Sequence, residues 1–114
     1  MKELQKEIEE FVKERRWIKF HNPKELLLGI IEEVGEFRNI IKWELDQERL
    51  EEIIKNNYEE VEDTFGDMLW FIVSLANRCN VDLEIALKKV IERNKKRFPK
   101  EKFFKTHTNV YVNR

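Results

Sequence analysis

Two long stretches of the sequence carry apolar residues at intervals of three and four, and this helical period constrains the fold more than any other feature. In residues 23–45 the stripe consists of Leu26, Leu27, Ile30, Val34, Phe37, Ile41 and Leu45. In the stretch that begins near residue 58 it consists of Val61, Phe65, Met68, Leu69, Ile72, Leu75, Ala76 and Cys79. Such stripes are typical of α-helices that bury one face. With only two prolines and three glycines, a turn-rich β architecture is disfavoured. We therefore predict an all-α protein.

Local signals place two more helices around this pair. Residues 2–16 have an apolar face, and Asp82 is a good N-cap for a helix that must end before Pro99. Asn22 and Pro23 mark the start of the second helix, with Glu25 placed to close a capping box. Residues 46–57 are a short helix or a loop, and the last fifteen residues have no helical period. The sequence thus predicts a bundle of four main helices over residues 1–99 and a C-terminal tail or arm over 100–114.

Residues 68–73 are apolar on every side of the predicted third long helix. Such a segment should be buried on several sides, and a monomer of this size would leave much of it exposed. We therefore expect a homo-oligomer, either a dimer or a tetramer.

Charge and composition narrow the class of protein. The chain has 114 residues and a formal net charge of −1, so it has no general attraction for a nucleic acid polymer or an anionic membrane. The N-terminal segment is charged, and no apolar run approaches the ~18 residues of a membrane span. Cys79 is the only cysteine, which rules out an internal disulfide. These features predict a cytoplasmic protein.

Carboxylates lie beside both apolar stripes. The first row contains Glu32, Glu33 and Glu36, and the second contains Glu60, Asp63 and Asp67. Glu33 and Glu36 lie about 60° apart on the helix, at the edge of the apolar stripe. Gly29, one turn earlier, should leave room beside them. Acidic rows on a charged chain are often solvated surface, and that reading stays open. If the helices pack side by side, however, crowded carboxylates need a cation, and hard oxygen donors suit Mg²⁺ or Mn²⁺.

Several motifs occur together and in one order. The first half contributes Trp17, Phe20, His21, Pro23, the run Leu26-Leu27-Leu28, Glu33-Val34-Gly35-Glu36 and Trp43. The second half contributes Gly66-Asp67-Met68-Leu69-Trp70, the run Ser74 to Leu83, and Asn94-Lys95-Lys96-Arg97-Phe98-Pro99. Across residues 11–99 this set resembles the MazG-like all-α nucleoside triphosphate pyrophosphohydrolases, and within that family it is nearest to the dCTP pyrophosphatases.

The resemblance implies a homo-oligomeric helical bundle that cleaves nucleoside triphosphates between the α- and β-phosphates with Mg²⁺. The metal motif of the family, Glu-x-x-Glu on one helix and Glu-x-x-Asp on another, falls on Glu33, Glu36 and Asp67, which are also the expected catalytic residues. The remaining position is Thr64 instead of glutamate. We expect Asp63 to substitute in part as a metal ligand, and Glu36 is a candidate general base.

The resemblance also points to substrate-binding residues, each of which has a plainer reading. Trp17, together with Phe20, can simply pack between helices. His21 can support a helix cap, whereas Trp43, about two turns after Glu36, is expected on the same side of the helix. Asn94 falls on an apolar face and therefore needs a hydrogen-bond partner. The remaining candidates are Lys95 and Arg97, which also suit the helix dipole, and Phe98.

Two alternatives remain because of Thr64. One is a non-catalytic helical nucleotide-binding or oligomeric interaction module. The other is a sensor that binds a magnesium–nucleotide complex and turns it over slowly. The resemblance suggests a pyrimidine deoxynucleotide, but the residues themselves do not specify the base or the sugar.

Overall fold

The computed structural model describes residues 1–103, and all regular structure in this part of the chain is helical. The helices are α1 (Lys2–Glu14), α2 (Pro23–Ile41), α3 (Gln47–Asn56), α4 (Tyr58–Arg78), α5 (Leu83–Arg97) and α6 (Lys100–Phe103), with a 3₁₀ turn at Ile18–Phe20. The all-α prediction is confirmed. The described part of the chain divides into two compact units, residues 1–81 and residues 82–103. None of the helices in residues 1–103 is long and apolar enough to cross a membrane.

The helices begin where local signals predict. The side chain of Asn22 accepts a hydrogen bond from the Glu25 backbone N–H at 3.0 Å, and that of Asp82 accepts one from the Ile85 N–H at 3.1 Å. Asp46 caps α3 in the same way, through the Arg49 N–H, so the segment 46–57 is a helix and not a loop. Each cap satisfies one N–H that the first turn leaves without a backbone partner.

The main disagreement with the sequence analysis is the end of α2. The helix stops at Ile41, before the predicted end near Leu45, because Lys42 has φ 52° and ψ −127°. This backbone conformation lies outside the helical region. Leu45 therefore leaves the apolar stripe and is 92% exposed. Residues 100–103 are helical where no helix was expected, and residues 104–114, the rest of the predicted tail, lie outside the described residues.

Helices α2 and α4 form the main antiparallel pair of the first unit. Phe37 on α2 contacts Phe65 on α4 edge to face, with ring centroids 5.6 Å apart. One side of this interface is tightly packed, since a Cβ on Gly29 would lie 2.5 Å from Cε1 of Phe71. The expectation that Gly29 leaves open room beside the acids is therefore wrong, because the Phe71 ring occupies that space.

Within a single chain residues 68–73 are not buried on every side, and this exposure is the one from which an oligomer was expected. Leu69 is 46% exposed and Phe65, earlier in the same stripe, is 52% exposed. A second set of exposed apolar residues lies on α2. We call these residues the exposed apolar set: Leu27, Ile31, Val34, Phe65 and Leu69.

Helix α1 packs antiparallel to the C-terminal half of α4. The side chain of Gln5 donates hydrogen bonds to Oδ1 of Asn77 and to the Val81 carbonyl, both at 3.0 Å. Asn77 returns a bond to the Gln5 carbonyl at 3.0 Å. Next to this pair, Arg78 forms an ion pair with Glu9. The end of α4 is thereby fixed by buried polar contacts in addition to apolar packing.

Candidate functional site

The carboxylates of α2 and α4 meet at one edge of the helix pair. Glu33 is half-buried, and burial raises the pKa of its carboxyl above the ordinary value. The nearby carboxylates of Asp67, Glu36 and Glu32 raise this pKa further. Asp67 is on α4, so the fold brings the two acidic rows together across the interface. Three of the four predicted metal ligands, Glu33, Glu36 and Asp67, belong to this acidic cluster.

The position at which the motif departs from its family pattern is buried. Thr64 is 7% exposed, and its hydroxyl donates a hydrogen bond to the Glu60 carbonyl at 2.8 Å. This bond ties the side chain to its own helix. Asp63 is exposed and is not among the charges that raise the pKa of Glu33. Its role as a metal ligand stays a prediction.

The carboxylate oxygens of the acidic cluster suit a hard cation, although these side chains do not point toward one common position. Within residues 1–103, no group of three or more His, Cys, Asp or Glu side chains is arranged to hold a metal ion. Yet the raised pKa of Glu33 reflects carboxylates close enough to repel one another. A divalent cation relieves such repulsion, and carboxylate oxygens are the ligands that Mg²⁺ prefers. Glu33, Glu36 and Asp67 therefore fit the metal in the chemistry of their donor atoms.

A groove of 730 Å³ adjoins the acidic cluster. We call it the α2-end groove, because it lies where α2 ends and approaches α3 and the start of α4. Glu36 belongs to both the groove and the acidic cluster. The other polar and aromatic residues of its wall are Asn39, Lys42, Trp43, Glu44, Asn57 and Glu60.

Glu36 and Trp43 in this wall were predicted as site residues, and Glu60 was placed in the second acidic row. The other polar wall residues were not predicted: Asn39, Lys42, Glu44 and Asn57. Trp43 lies on the same side as Glu36 as predicted, but its position results from the turn after Ile41 and not from continued helix. Trp43 is 81% exposed, and Cζ of Arg38 lies 3.7 Å from its ring centroid. Neither glycine nor proline follows Ile41, so no local signal predicts this turn or the groove.

The two predicted residues before α2 lie elsewhere. Trp17 packs edge to face on Phe11, with ring centroids 5.7 Å apart, as its plainer reading expects. The charges that act on His21 are Arg78 and Glu9, not the acidic cluster. Burial is the main reason that the pKa of His21 is lowered, and Arg78 lowers it further while Glu9 opposes the change. His21 lies before the start of α2 at Pro23, and Glu33 is about 15 Å of helix rise beyond that start.

The remaining candidates belong to the second unit and are described within it. Oδ1 of Asn94 is buried and has no hydrogen-bond partner among the described residues. The hydrogen-bond partner that the sequence predicts for this amide is thus not found on the oxygen side within the described residues. Lys95 is exposed and pairs with Glu92 at 3.3 Å. Arg97 lies over the ring of Phe98, with Cζ 5.2 Å from the centroid.

Comparison with known proteins gives concordant matches. Residues 21–102 match the family model for the MazG nucleotide pyrophosphohydrolase domain. The dCTP pyrophosphatase 1 proteins of Homo sapiens, Rattus norvegicus and Bos taurus are each 35% identical over 91 residues, which cover 79% of this chain and 54% of theirs. The chain thus spans about half the length of these curated relatives. The crystal structure of a pyrophosphatase from Archaeoglobus fulgidus superposes with a TM-score of 0.79 at 30% identity, covering 87% of this chain and 92% of that one.

Proposed function

The chain belongs to the MazG nucleotide pyrophosphohydrolase family, and from this premise we propose that it hydrolyses nucleoside triphosphates to nucleoside monophosphate and pyrophosphate. The observation that carries the proposal is the acidic cluster shared by α2 and α4, which opens through Glu36 into the α2-end groove. This arrangement offers cation-binding oxygens next to a space for an organic ligand. Its cellular use would be removal of unwanted nucleotides or control of a nucleotide pool, in the cytoplasm.

The proposed reaction is attack of water on the α-phosphorus. A new P–O bond forms to the water oxygen, and the bond to the bridging oxygen breaks, so that pyrophosphate leaves with the electron pair. Glu36 accepts the proton of the attacking water, since its carboxylate lies in the groove wall. Glu33 on α2 and Asp67 on α4 supply the negative charge on the other side of the site. A bound Mg²⁺ would neutralise charge on the phosphates.

We propose that Mg²⁺, replaceable by Mn²⁺, is held by Glu33, Glu36 and Asp67, with Asp63 as the fourth ligand. Asp63 lies one helical turn before Asp67, within reach of the same ion. Glu60 is the alternative fourth ligand, because it lies two turns before Asp67 and lines the groove with Glu36. Calorimetric titration of Mn²⁺ into Asp63→Asn and Glu60→Gln distinguishes them. The proposal predicts weaker binding for Asp63→Asn only; loss confined to Glu60→Gln would reassign the ligand.

For the substrate, we propose a pyrimidine deoxynucleotide whose base stacks on Trp43. The relatives named as dCTP pyrophosphatases support this choice. Trp17 and His21 are also proposed contacts, but they precede α2 whereas Trp43 follows it. Because α2 has 19 residues and is about 28 Å long, one nucleotide cannot touch both ends of it within one chain. Asn94, Lys95, Arg97 and Phe98 stay proposed substrate contacts on the family resemblance.

We further propose a homodimer or homotetramer in which two chains contribute to each site. The exposed apolar set on α2 and α4 supports this assembly, since a lone chain would leave it in water. Sedimentation equilibrium tests it with Ile31→Glu and with Glu25→Lys as a control on another face of the same helix. We expect the first variant to be monomeric and the second to assemble like the unaltered protein. If the unaltered protein sediments as a monomer at every concentration, the proposed homo-oligomer is refuted.

Pyrophosphate release from a panel of nucleoside triphosphates tests the activity. We expect release with Mg²⁺ or Mn²⁺, none with a chelator, and none from Glu36→Gln, with dCTP among the best substrates. If folded protein releases no pyrophosphate from any of these nucleotides, the second candidate is favoured, a non-catalytic helical nucleotide-binding or interaction module. This alternative stays open because Thr64 is buried and bonded to its own helix. Titration with a non-hydrolysable triphosphate would then separate a nucleotide binder from an interaction module.

A further inference from the structure

The turn that ends α2 has a backbone conformation that suits glycine but is formed by lysine. The Glu44 N–H donates a hydrogen bond to the Ile41 carbonyl at 3.2 Å, which closes a four-residue turn. Lys42, its second residue, has φ 52° and ψ −127°. These are the angles of the first central position of a type II′ turn, where glycine is strongly preferred because a Cβ is strained there. Strain of this kind persists where the surrounding structure fixes it, often at binding sites.

The strained turn determines the position of Trp43. The Lys42 N–H donates to the Arg38 carbonyl at 2.6 Å, so the turn is tied to the last turn of α2. Trp43 follows directly and stands 81% exposed at the wall of the α2-end groove. Arg38 lies against its ring, with Cζ 3.7 Å from the centroid. One face of the indole is therefore covered by a guanidinium, whereas its exposure leaves area for a second planar group.

We propose that Lys42 is a positioning residue for a stacking platform made of Arg38 and Trp43, which takes the base of the nucleotide at the α2-end groove. This inference rests on the proposed function and adds two residues to it. A residue with a Cβ has few conformations near φ 52°, whereas glycine would open many more to the turn. Once the two backbone hydrogen bonds of the turn fix Lys42 in this conformation, the Trp43 ring has fewer positions open to it than it would have beside glycine. A ring that is already ordered loses less conformational entropy when a base stacks on it.

The decisive variant is Lys42→Gly, which relieves the strain and frees the turn. We expect its melting temperature to rise by several degrees and its affinity for a non-hydrolysable deoxynucleoside triphosphate with Mg²⁺ to fall about fivefold. Lys42→Ala keeps the Cβ and should bind at least threefold more tightly than Lys42→Gly. Arg38→Gln should also weaken binding, because it uncovers one face of the indole. Higher stability with weaker binding is a pair of changes that a damaged fold does not produce.

The control is Asn80→Gly, which changes another residue at φ 57° away from the groove and should leave nucleotide affinity unaltered. Calorimetry with the unaltered protein separates the two levels of the proposal. If it binds no triphosphate, the proposed function fails. If it binds and Lys42→Gly binds equally well, or melts at a lower temperature, the positioning role of Lys42 is refuted. If Lys42→Ala is as weak as Lys42→Gly, the ammonium and not the turn is what binding requires, which also refutes it.

Discussion

The contact between Gly29 and Phe71 makes a sharp prediction about stability. Gly29 is buried in the α2–α4 interface, and an added Cβ would lie 2.5, 2.6 and 2.8 Å from three atoms of the Phe71 ring. Carbon atoms in contact are ordinarily about 3.5–4.0 Å apart. The ring must therefore move, or the helices must separate, when Gly29 is replaced by alanine. The acidic cluster begins one turn away on each helix.

Two opposing terms set the size of the effect. Alanine inside a helix is about 1 kcal/mol more favourable than glycine. Forcing a methyl group into a packed interface costs about 1–3 kcal/mol. Gly29→Ala should thus lower the free energy of unfolding by about 0–2 kcal/mol. Gly35 and Gly66 are also helical, but an added Cβ would have nothing within 4 Å in the described chain. At these two positions alanine should raise stability by about 0.5–1 kcal/mol.

Urea unfolding of the three alanine variants at one protein concentration measures these differences. Gly29→Ala should be less stable than Gly35→Ala and Gly66→Ala by about 1–3 kcal/mol. Shortening the ring in the double variant Gly29→Ala/Phe71→Leu should recover part of the loss. If Gly29→Ala is as stable as the two control variants, the close approach of Phe71 to α2 is refuted.

Three further predictions concern ionisable and polar groups. Glu33→Gln should raise the melting temperature of the metal-free protein, because it removes a crowded, half-buried charge. The same variant should show a smaller rise in melting temperature when Mg²⁺ is added. A lower melting temperature without metal would contradict this prediction. Burial and Arg78 lower the pKa of His21 from 6.5, so the unfolded chain binds the proton first and stability should fall as pH drops below 6.5. Thermal unfolding across that range should show a smaller fall in His21→Gln, and an equal fall would exclude His21 as the cause. Asn77→Ala leaves Gln5 without two hydrogen bonds and should cost about 1–3 kcal/mol in urea unfolding, whereas a loss below about 0.5 kcal/mol would show that water replaces them.

The sequence predicts the helices well where the deciding signals are local. Asn22 and Asp82 cap the helices they were expected to cap, and α4 spans Tyr58–Arg78. These outcomes depend on hydrogen bonds within one helical turn and on an apolar period that one helix contains by itself. The end of α2 was not predicted because Lys42 adopts a positive φ angle, which lysine rarely does.

The parts that escaped prediction depend on contacts between distant segments. Periodic spacing placed Glu33, Glu36 and Asp67 in two acidic rows, and the family resemblance singled them out. Only the packed pair of helices reveals that Asp67, and not Asp63, acts on Glu33. The room expected beside Gly29 is occupied by a ring from α4. His21 lies near Arg78, which is 57 residues later in the sequence. The apolar stripe of α4 predicted burial that a single chain does not provide, since periodicity cannot tell a core from an interface between chains.

The most direct test of the account is the identity of the products from dCTP and Mg²⁺. Phosphorus NMR of the reaction mixture distinguishes the two possible cleavages of the triphosphate. We expect deoxycytidine monophosphate and pyrophosphate in equal amounts, with neither product formed by Glu36→Gln. Deoxycytidine diphosphate with inorganic phosphate, or unchanged dCTP in the presence of folded protein and metal, would contradict it.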